Sequence, residues 1–211
     1  MKLYHNPISP NCRRVLITAR HLGLKLEEVV MDVAKGDTKT PAYLALNPNG
    51  MVPTLVDGAE TLWESRAIMQ YLAAKKPGAG LLGANETERA EVTKWLTWDA
   101  AHLSRYVGAV LYEVAIKPMF GWGQTDPAAV ATAQEQVKRY YAVLDKSLAG
   151  KKYLVGDALT IADLSLACVF TYPDMIGVPL DGFPNIKSWL ARISAMDCWK
   201  ATVPQLPQAA E

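Results

Sequence analysis

The chain of 211 residues has few cysteines and no excess of charge of either sign. Its three cysteines, Cys12, Cys168 and Cys198, lack the spacing of metal ligands, and their odd number argues against a disulfide framework. Lys and Arg number 22 against 21 Asp and Glu, without a long basic run, so neither nucleic acid nor an anionic membrane is an expected partner. We therefore expect a reducing compartment, no metal site, and small molecules or proteins as partners.

The sequence also lacks the long apolar segments of exported and membrane-spanning proteins. The residues Met1–His5 do not resemble a signal peptide, and no uninterrupted apolar run approaches the thickness of a bilayer. Half of the residues are hydrophobic, which argues against disorder, and the length suffices for two modest domains. We expect a soluble, cytoplasmic protein.

The pattern of hydrophobic residues changes near residue 76. Before this point, short β-like runs alternate with helical periodicity, which predicts the order βαβαββα with strands at 2–6, 26–33, 52–57 and 61–63 and helices near 11–23, 41–46 and 65–75. After it, strand signals vanish and apolar residues recur at helical spacing, as in Val92–Val114 and Val130–Leu148. We predict an α/β domain over 1–76, a linker rich in Pro and Gly over 77–86, and an all-α helical bundle over 87–211.

The stretch Ser9–Cys12, with the sequence Ser-Pro-Asn-Cys, lies between the first predicted strand and the first predicted helix. It has the layout of a Cys-Pro-x-Cys redox site in which a hydroxyl replaces the first thiol. A hydroxyl cannot exchange disulfides, but at a helix start it can donate a hydrogen bond to the sulfur of another molecule, where the backbone favours negative charge. This pattern predicts a site that binds and activates a foreign thiolate.

Cys12 is the alternative reactive group, because a thiol one helical turn after Ser9 could form a mixed disulfide. Its position matches the second cysteine of the redox motif, which is usually the more buried one, so a packing role is favoured. Asn11 and Cys12 are the secondary candidates of this site.

Val52 and Pro53 open the third predicted strand. An X-Pro bond has substantial access to the cis form, which would expose the amide and carbonyl of Val52 to a ligand. The alternative is a trans proline that merely starts an edge strand.

Glu64 and Ser65 mark the change from strand to helix. The start of this helix and the Ser65 hydroxyl suit a ligand carboxylate, while Glu64 suits a ligand ammonium. An α-amino-acid head group carries both charges. The structural alternative is that Ser65 is simply a helix N-cap.

Four segments together resemble the glutathione transferase family in their order and spacing, over nearly the whole chain: Ser9–Arg13, Leu46–Leu55, Glu64–Ile68 and Gly156–Asp163. The resemblance implies a thioredoxin-like first domain, an all-helical second domain, and usually a homodimer. It also implies glutathione as co-substrate, without a prosthetic group. The Ser9 hydroxyl is similar to that of the serine-type classes, such as theta, delta and phi. The resemblance is to a bacterial-style member of the family.

The activity implied by this resemblance is attack of the glutathione thiolate on a hydrophobic electrophile. The alternatives are a glutathione-dependent reductase or peroxidase, a dehalogenase using the same site, and a noncatalytic binding module.

The resemblance also implies a role for each site residue. Ser9 donates to the glutathione sulfur, and Val52 pairs through its backbone with the cysteinyl unit, with Pro53 cis. Glu64 and Ser65 clamp the γ-glutamyl group.

Four further positions concern the ends of glutathione. Lys39 lies where related classes hold the glycyl carboxylate, with a solvated loop lysine as the alternative. Thr38 and Gly50 stand where some serine-type relatives carry histidines, so this end of the site is weaker or differently built. Asp99, on an apolar helical stripe, corresponds to an acidic residue that reaches the glutathione amine of the partner subunit; an intrachain salt bridge is the alternative.

The candidate site for the electrophile is apolar and partly aromatic. Ordinary core packing is the alternative for at least half of its members, which are Ile8, His102, Arg105, Tyr106, Met119, Phe120 and Trp122.

The segment Thr160–Asp163 is a capping box ahead of an apolar run, Leu164–Phe170, that predicts a buried central helix. Its expected role is folding. As a cap alone, Asp163→Ala would cost about 0.5 to 2 kcal/mol.

Overall fold

The computed structural model describes residues 1–205 as two compact units. The first unit comprises Met1–Ala79 together with the described residues 196–205, and the second comprises Gly80–Ala195. The terminal helix thus belongs to the first unit, although it follows the second in sequence. The domain boundaries at 76 and 87 stay predictions.

The first unit is a four-stranded mixed sheet with helices, and its element order βαβαββα confirms the expectation. The strands run in the order β2-β1-β3-β4; β1 and β2 are parallel, while β3 is antiparallel to both β1 and β4. The elements are β1 (Lys2–His5), α1 (Pro10–His21), β2 (Glu27–Val30), α2 (Pro41–Leu46), β3 (Thr54–Asp57), β4 (Glu60–Trp63) and α3 (Ser65–Ala74).

The core of this unit explains why α1 and α3 cover the sheet. β1 alternates buried and half-buried positions, which is the period of a strand. The helices contribute buried side chains at helical spacing, and α1 packs directly against α3. The buried cluster consists of Leu3, Val15, Leu16, Ala19, Leu55, Ile68 and Leu72.

Three predicted strands are longer than the observed ones, and the one predicted for β1 exceeds its observed length by one residue only. β2 ends at Val30 because the chain then turns: the Asp37 carboxylate accepts the Asp32 N–H at 2.8 Å. β3 begins at Thr54 instead of Val52, and Pro53 before it has no N–H for a sheet ladder.

The second unit has no strand among its described residues. One nearly continuous helical stretch contains α4 (Glu86–Trp98), α5 (Ser104–Leu111) and α6 (Lys117–Met119), separated by π-helical turns at Asp99–Leu103 and Tyr112–Ile116. Then follow α7 (Pro127–Leu148), α8 (Ile161–Ala167), α9 (Pro173–Ile176) and α10 (Pro184–Ser194). The short helix α11 (Asp197–Lys200) packs on α1 in the first unit.

The buried helix expected after residue 160 is α8. Thr160 is its N-cap, and every residue from Ile161 to Phe170 is buried. Asp163 Oδ2 accepts the Thr160 N–H at 2.9 Å and the Thr160 hydroxyl at 3.1 Å. The capping box is therefore confirmed.

Over residues 1–205, no helix is both long and apolar enough to cross a membrane. The same part of the chain contains no group of three or more His, Cys, Asp or Glu residues arranged to hold a metal ion.

Candidate active site

The first unit contains an open cleft beside the N-termini of α1 and α3. About 440 Å³ of space lies between its walls, part of it open solvent. Five of the predicted site residues meet there: Asn11, Val52, Pro53, Glu64 and Ser65. The sequence analysis missed four other lining residues, which are Asn47, Asn49, Met51 and Arg66.

Ser9 is the N-cap of α1, in extended backbone conformation, and is half-buried. Its Oγ accepts the backbone N–H of Cys12 at 3.4 Å. Because this contact uses a lone pair of the oxygen, the hydroxyl hydrogen remains for donation to another molecule. Ser9 itself does not line the cleft, but it precedes by two residues Asn11, which does.

Cys12 is a packing residue. It is completely buried, and its Sγ accepts the backbone N–H of Asn6 at 3.3 Å. Burial raises the pKa of this thiol to about 11, outweighing the hydrogen bonds that favour the thiolate. At neutral pH the group is a thiol and a poor nucleophile.

The Val52-Pro53 bond is cis, as expected. Buried polar side chains hold the loop that precedes the Val52-Pro53 bond. The Tyr43 hydroxyl donates to the Met51 carbonyl at 2.6 Å, and Asn47 Nδ2 donates to the same carbonyl at 2.8 Å. Asn47 Nδ2 also reaches Thr54 Oγ1 at 3.0 Å, which ties the loop to the first residue of β3. This network holds Val52 in the wall of the cleft.

Asn47 also organises the turn itself. Its Oδ1 accepts both the backbone N–H of Asn49, at 3.1 Å, and the Asn49 side-chain amide, at 3.0 Å. The Asn-Pro-Asn-Gly composition predicts a turn. It does not reveal that the first asparagine is buried and braces a ligand-binding loop.

The start of α3 differs from the prediction by one residue. Glu64, not Ser65, is the N-cap, and it makes no side-chain capping bond. Its φ of 72° lies in the left-handed region, because the chain leaves β4 and turns into α3 at this single residue. Ser65 is consequently the first residue of the helix, and only 4% of it is exposed. This sharp turn directs both residues to the cleft.

Lys39 is exposed and does not line the cleft. Its Nζ donates to the Gly50 carbonyl at 3.3 Å, next to the lining residue Met51. Gly50 has φ of +58°, and an added Cβ would lie 2.8 Å from Lys39 Nζ and 2.9 Å from the Thr38 carbonyl oxygen. A histidine at position 50 therefore does not fit beside Lys39 as it stands here.

Asp99 is completely buried in the first π-helical turn. Its two oxygens accept the hydroxyls of Ser104, at 2.5 Å, and of Ser165 on α8, at 2.7 Å. A carboxylate with no exposed surface is poorly placed to reach a ligand of another subunit. The structure therefore favours the intrachain alternative for Asp99, formed with hydroxyls.

Three predicted electrophile-site residues contact aromatic neighbours within the second unit. The His102 ring stacks on Tyr140 of α7 at 5.2 Å between centroids, and Tyr106 stacks on Tyr140 at 5.8 Å. The Arg105 guanidinium lies 5.7 Å from the Tyr106 ring. These contacts contribute to packing between helices.

The other four predicted residues differ in exposure. Met119 is 54% exposed and Trp122 is 58% exposed, and the Phe120 ring lies 4.8 Å from Trp122. Ile8, in the first unit, is half-buried and donates its N–H to Asn6 Oδ1 at 3.1 Å. An apolar surface at residues 119–122 supports the predicted role, which stays a prediction.

The fold and the cleft together define a class of protein. A thioredoxin-like unit carries a hydroxyl in place of the redox thiol, a cis-proline loop, and a carboxylate beside a helix start. Such a unit lacks the Cys-Pro-x-Cys pair of thiols that disulfide exchange requires, and it is joined to a helical unit.

Comparison with known proteins identifies the family. The model of the glutathione S-transferase N-terminal domain matches residues 3–80, and that of the C-terminal domain matches residues 107–197. Glutathione S-transferase 3 of Zea mays is 36% identical over 98% of this chain and 95% of its own length. The chain belongs to the glutathione S-transferase family.

Solved structures agree with this assignment. Glutathione transferase F7 from Populus trichocarpa has a TM-score of 0.88 at 29% identity, covering 95% of this chain and 96% of its own. Glutathione S-transferase-I bound with lactoylglutathione has a TM-score of 0.85 at 33% identity, covering 96% and 97%. These plant relatives are of the serine-type phi class, so the expectation of a serine-type member is confirmed, whereas that of a bacterial-style member is not borne out.

Proposed function

We propose that this chain is an enzyme that binds glutathione in the cleft and directs its thiolate at a hydrophobic electrophile. The observation that carries the proposal is the position of Ser9. Its oxygen accepts the Cys12 N–H at 3.4 Å, which leaves the hydroxyl as the donor proposed for the glutathione sulfur, and Asn11, two residues later, lines the cleft. Family membership supports this activity.

One hydroxyl at a helix start can supply the free energy needed to lower the pKa of the bound thiol. A free thiol has a pKa of about 8.5, so most glutathione at neutral pH is not the thiolate. A hydrogen bond to a charged acceptor contributes about 1.5 to 3 kcal/mol, and one pKa unit corresponds to about 1.4 kcal/mol. Ser9 therefore lowers the pKa of the bound thiol by roughly one to two units.

The rest of the cleft holds the peptide. Val52 pairs with the cysteinyl unit, the Ser65 hydroxyl and the start of α3 take the γ-glutamyl carboxylate, and Glu64 takes its ammonium. These four groups, with Pro53, meet in one cleft, which supports the assignment. Lys39, beside Gly50, is proposed for the glycyl carboxylate, since it borders the same loop.

The partners and the compartment are also proposed. A hydrophobic electrophile fits the exposed apolar residues Met119 and Trp122. A homodimer is proposed from the family relationship. Three free, buried cysteines support a reducing cytoplasm.

A glutathione-dependent reductase is a weaker candidate function. It would need Cys12 as a thiolate, and the burial that raises the pKa of Cys12 to about 11 opposes this. A noncatalytic module is also less favoured, because the proposed partners of the cysteinyl and γ-glutamyl units, Val52, Glu64 and Ser65, line one cleft.

The test combines calorimetric titration of the reduced protein with glutathione and turnover of an activated aryl halide. Ser9→Ala is expected to retain glutathione binding and to lose about ten- to hundredfold in kcat, since it removes a donor to the thiolate. Cys12→Ser is the matched control, and it should retain conjugation. Equal turnover of wild type and Ser9→Ala would remove Ser9 from the chemistry, and no glutathione binding by the wild type would contradict the proposed function.

A further inference from the structure

The orientation of the Asn11 side chain is determined by Arg14, one helical turn further along α1. Arg14 Nη1 donates to Asn11 Oδ1 at 2.6 Å. A guanidinium has donors and no acceptor, so the atom facing it must be the amide oxygen. Arg14 is only 2% exposed, which fixes the donor in place. The amide nitrogen of Asn11 therefore points away from Arg14.

Asn11 is one of the residues that line the cleft. The residue is exposed, lies in the first turn of α1 and lines the cleft with Val52, Glu64 and Ser65. Its Nδ2 has no partner within residues 1–205. The positive charge of Arg14 on the carbonyl oxygen polarises the amide, which makes its N–H groups stronger donors.

Ser9 and Asn11 share the same arrangement. In each, a neighbour on α1 occupies the acceptor oxygen: Cys12 N–H for Ser9, and Arg14 for Asn11. Each side chain is thus left with donors for a ligand, at the positive end of the helix. Val52, the proposed partner of the cysteinyl unit, lies in the wall of the same cleft as Asn11.

We propose that Asn11 is a second hydrogen-bond donor to the glutathione thiolate, and that Arg14 is the positioning residue that presents its amide. This inference rests on the proposed function, because it requires glutathione in the cleft. The Ser9 hydroxyl and the Asn11 side-chain amide would both donate hydrogen bonds to the glutathione thiolate.

A donor to the glutathione sulfur and a donor to another acceptor of the peptide have different effects on the pH dependence of binding. A donor to the thiolate stabilises only the ionised thiol, so its loss raises the pKa of the bound thiol. A donor to the γ-glutamyl carboxylate, which is ionised throughout, would change the glutathione Kd equally at all pH values above about 5. The pH dependence therefore separates the two.

The test follows the ultraviolet absorbance of bound thiolate, and kcat/KM with an aryl halide, against pH. In Asn11→Ala the thiol pKa should rise by about 0.5 to 1 unit. At about pH 6.5, kcat/KM should then fall three- to tenfold, with the difference narrowing at alkaline pH. Asn11→Asp has the same shape, and its carboxylate still accepts from Arg14. It presents a negative charge and no donor to the cleft, so the pKa of the bound thiol should rise more than in Asn11→Ala.

Asn49→Asp is the matched control, since it places the same charge change on the same cleft while Asn49 Nδ2 is already engaged by Asn47. The pKa of the bound thiol should rise less in Asn49→Asp than in Asn11→Asp. Equal shifts in the two variants, or an unchanged thiol pKa with only a weaker Kd in Asn11→Ala, would overturn the inference. Failure of the wild type to bind glutathione would instead overturn the proposed function on which it rests.

Discussion

Glu64 is the only non-glycine residue with a positive φ in the part of the chain that the structure describes. A residue with a Cβ in the left-handed region costs about 1 to 2 kcal/mol, and Glu64 does not offset this with a capping bond. Such conformations persist where the surrounding structure holds them, often at binding sites. Here the strained residue lines the cleft, so the proposed binding of the ligand ammonium would oppose stability at this position.

Glu64→Gly should separate these two effects. Glycine adopts a φ of 72° without strain, which offsets the extra freedom it has in the unfolded chain, so the variant should be at least as stable as the wild type, by up to about 1 kcal/mol. Calorimetry should show glutathione affinity reduced tenfold or more, because the proposed partner of the ligand ammonium is gone.

Glu64→Gln serves as the control for this substitution. It keeps the strained backbone and loses only the charge, so it should weaken binding without raising stability. A glycine variant clearly less stable than the wild type in urea unfolding would contradict the assignment of strain to Glu64.

At the scale of elements, Asp163 does more than cap α8. Besides Thr160, its Oδ1 accepts the backbone N–H of Leu154 at 2.9 Å and the Trp189 Nε1–H at 2.9 Å. The carboxylate is completely buried and thus joins α8 to the preceding loop and to α10. The cost of about 0.5 to 2 kcal/mol expected for a simple cap is therefore too small.

Asp163→Ala should cost about 3 to 5 kcal/mol, because it leaves several buried donors without an acceptor. Urea unfolding measures this cost. Asp163→Asn keeps one acceptor oxygen and should be intermediate. In folded protein the glutathione affinity should be unchanged, since Asp163 does not line the cleft. A loss below about 1 kcal/mol for Asp163→Ala would refute the role of this network.

At the scale of the whole molecule, two histidines link stability to pH: His5, which is buried, and His21, which is exposed. His5 on β1 is 3% exposed. Its Nε2 lies 3.3 Å from Glu28 Oε2, but neither ring nitrogen makes a well-formed hydrogen bond within the described residues. Burial lowers the pKa of His5, although the Glu28 charge partly opposes this. The exposed His21 also has a lowered pKa, because its ring is partly desolvated. Both imidazoles therefore bind protons more weakly in the folded chain than in the unfolded one.

The sign of the pH effect follows from proton binding. Below the unfolded value of 6.5 the unfolded chain takes up protons that the folded chain does not, so stability is present above this pH and is lost as the pH falls. Between about pH 7 and 5, wild type should lose stability in urea unfolding. The His5→Gln variant should lose less stability over this interval. A double variant with both His5→Gln and His21→Gln should lose less still. An identical pH slope in wild type and His5→Gln would contradict this linkage.

The sequence by itself determined the features that depend on neighbouring residues. The order βαβαββα, the location of Ser9 at a helix start, and the Thr160–Asp163 capping box all follow from hydrophobic period and from residue types a few positions apart. The motifs around Ser9, Val52 and Glu64 likewise predicted which segments meet at the cleft, because a thioredoxin-like topology gathers them.

Only the tertiary structure decided the features that depend on distant contacts. Asn47 braces the cis-proline loop, Asp163 accepts from Trp189, and Asp99 is buried against Ser165 rather than exposed to a ligand. Burial and hydrogen-bond partners at such separations are set by the packing of whole helices and strands. No local pattern of residue types carries that information, because the same asparagine or aspartate serves equally well in an exposed turn.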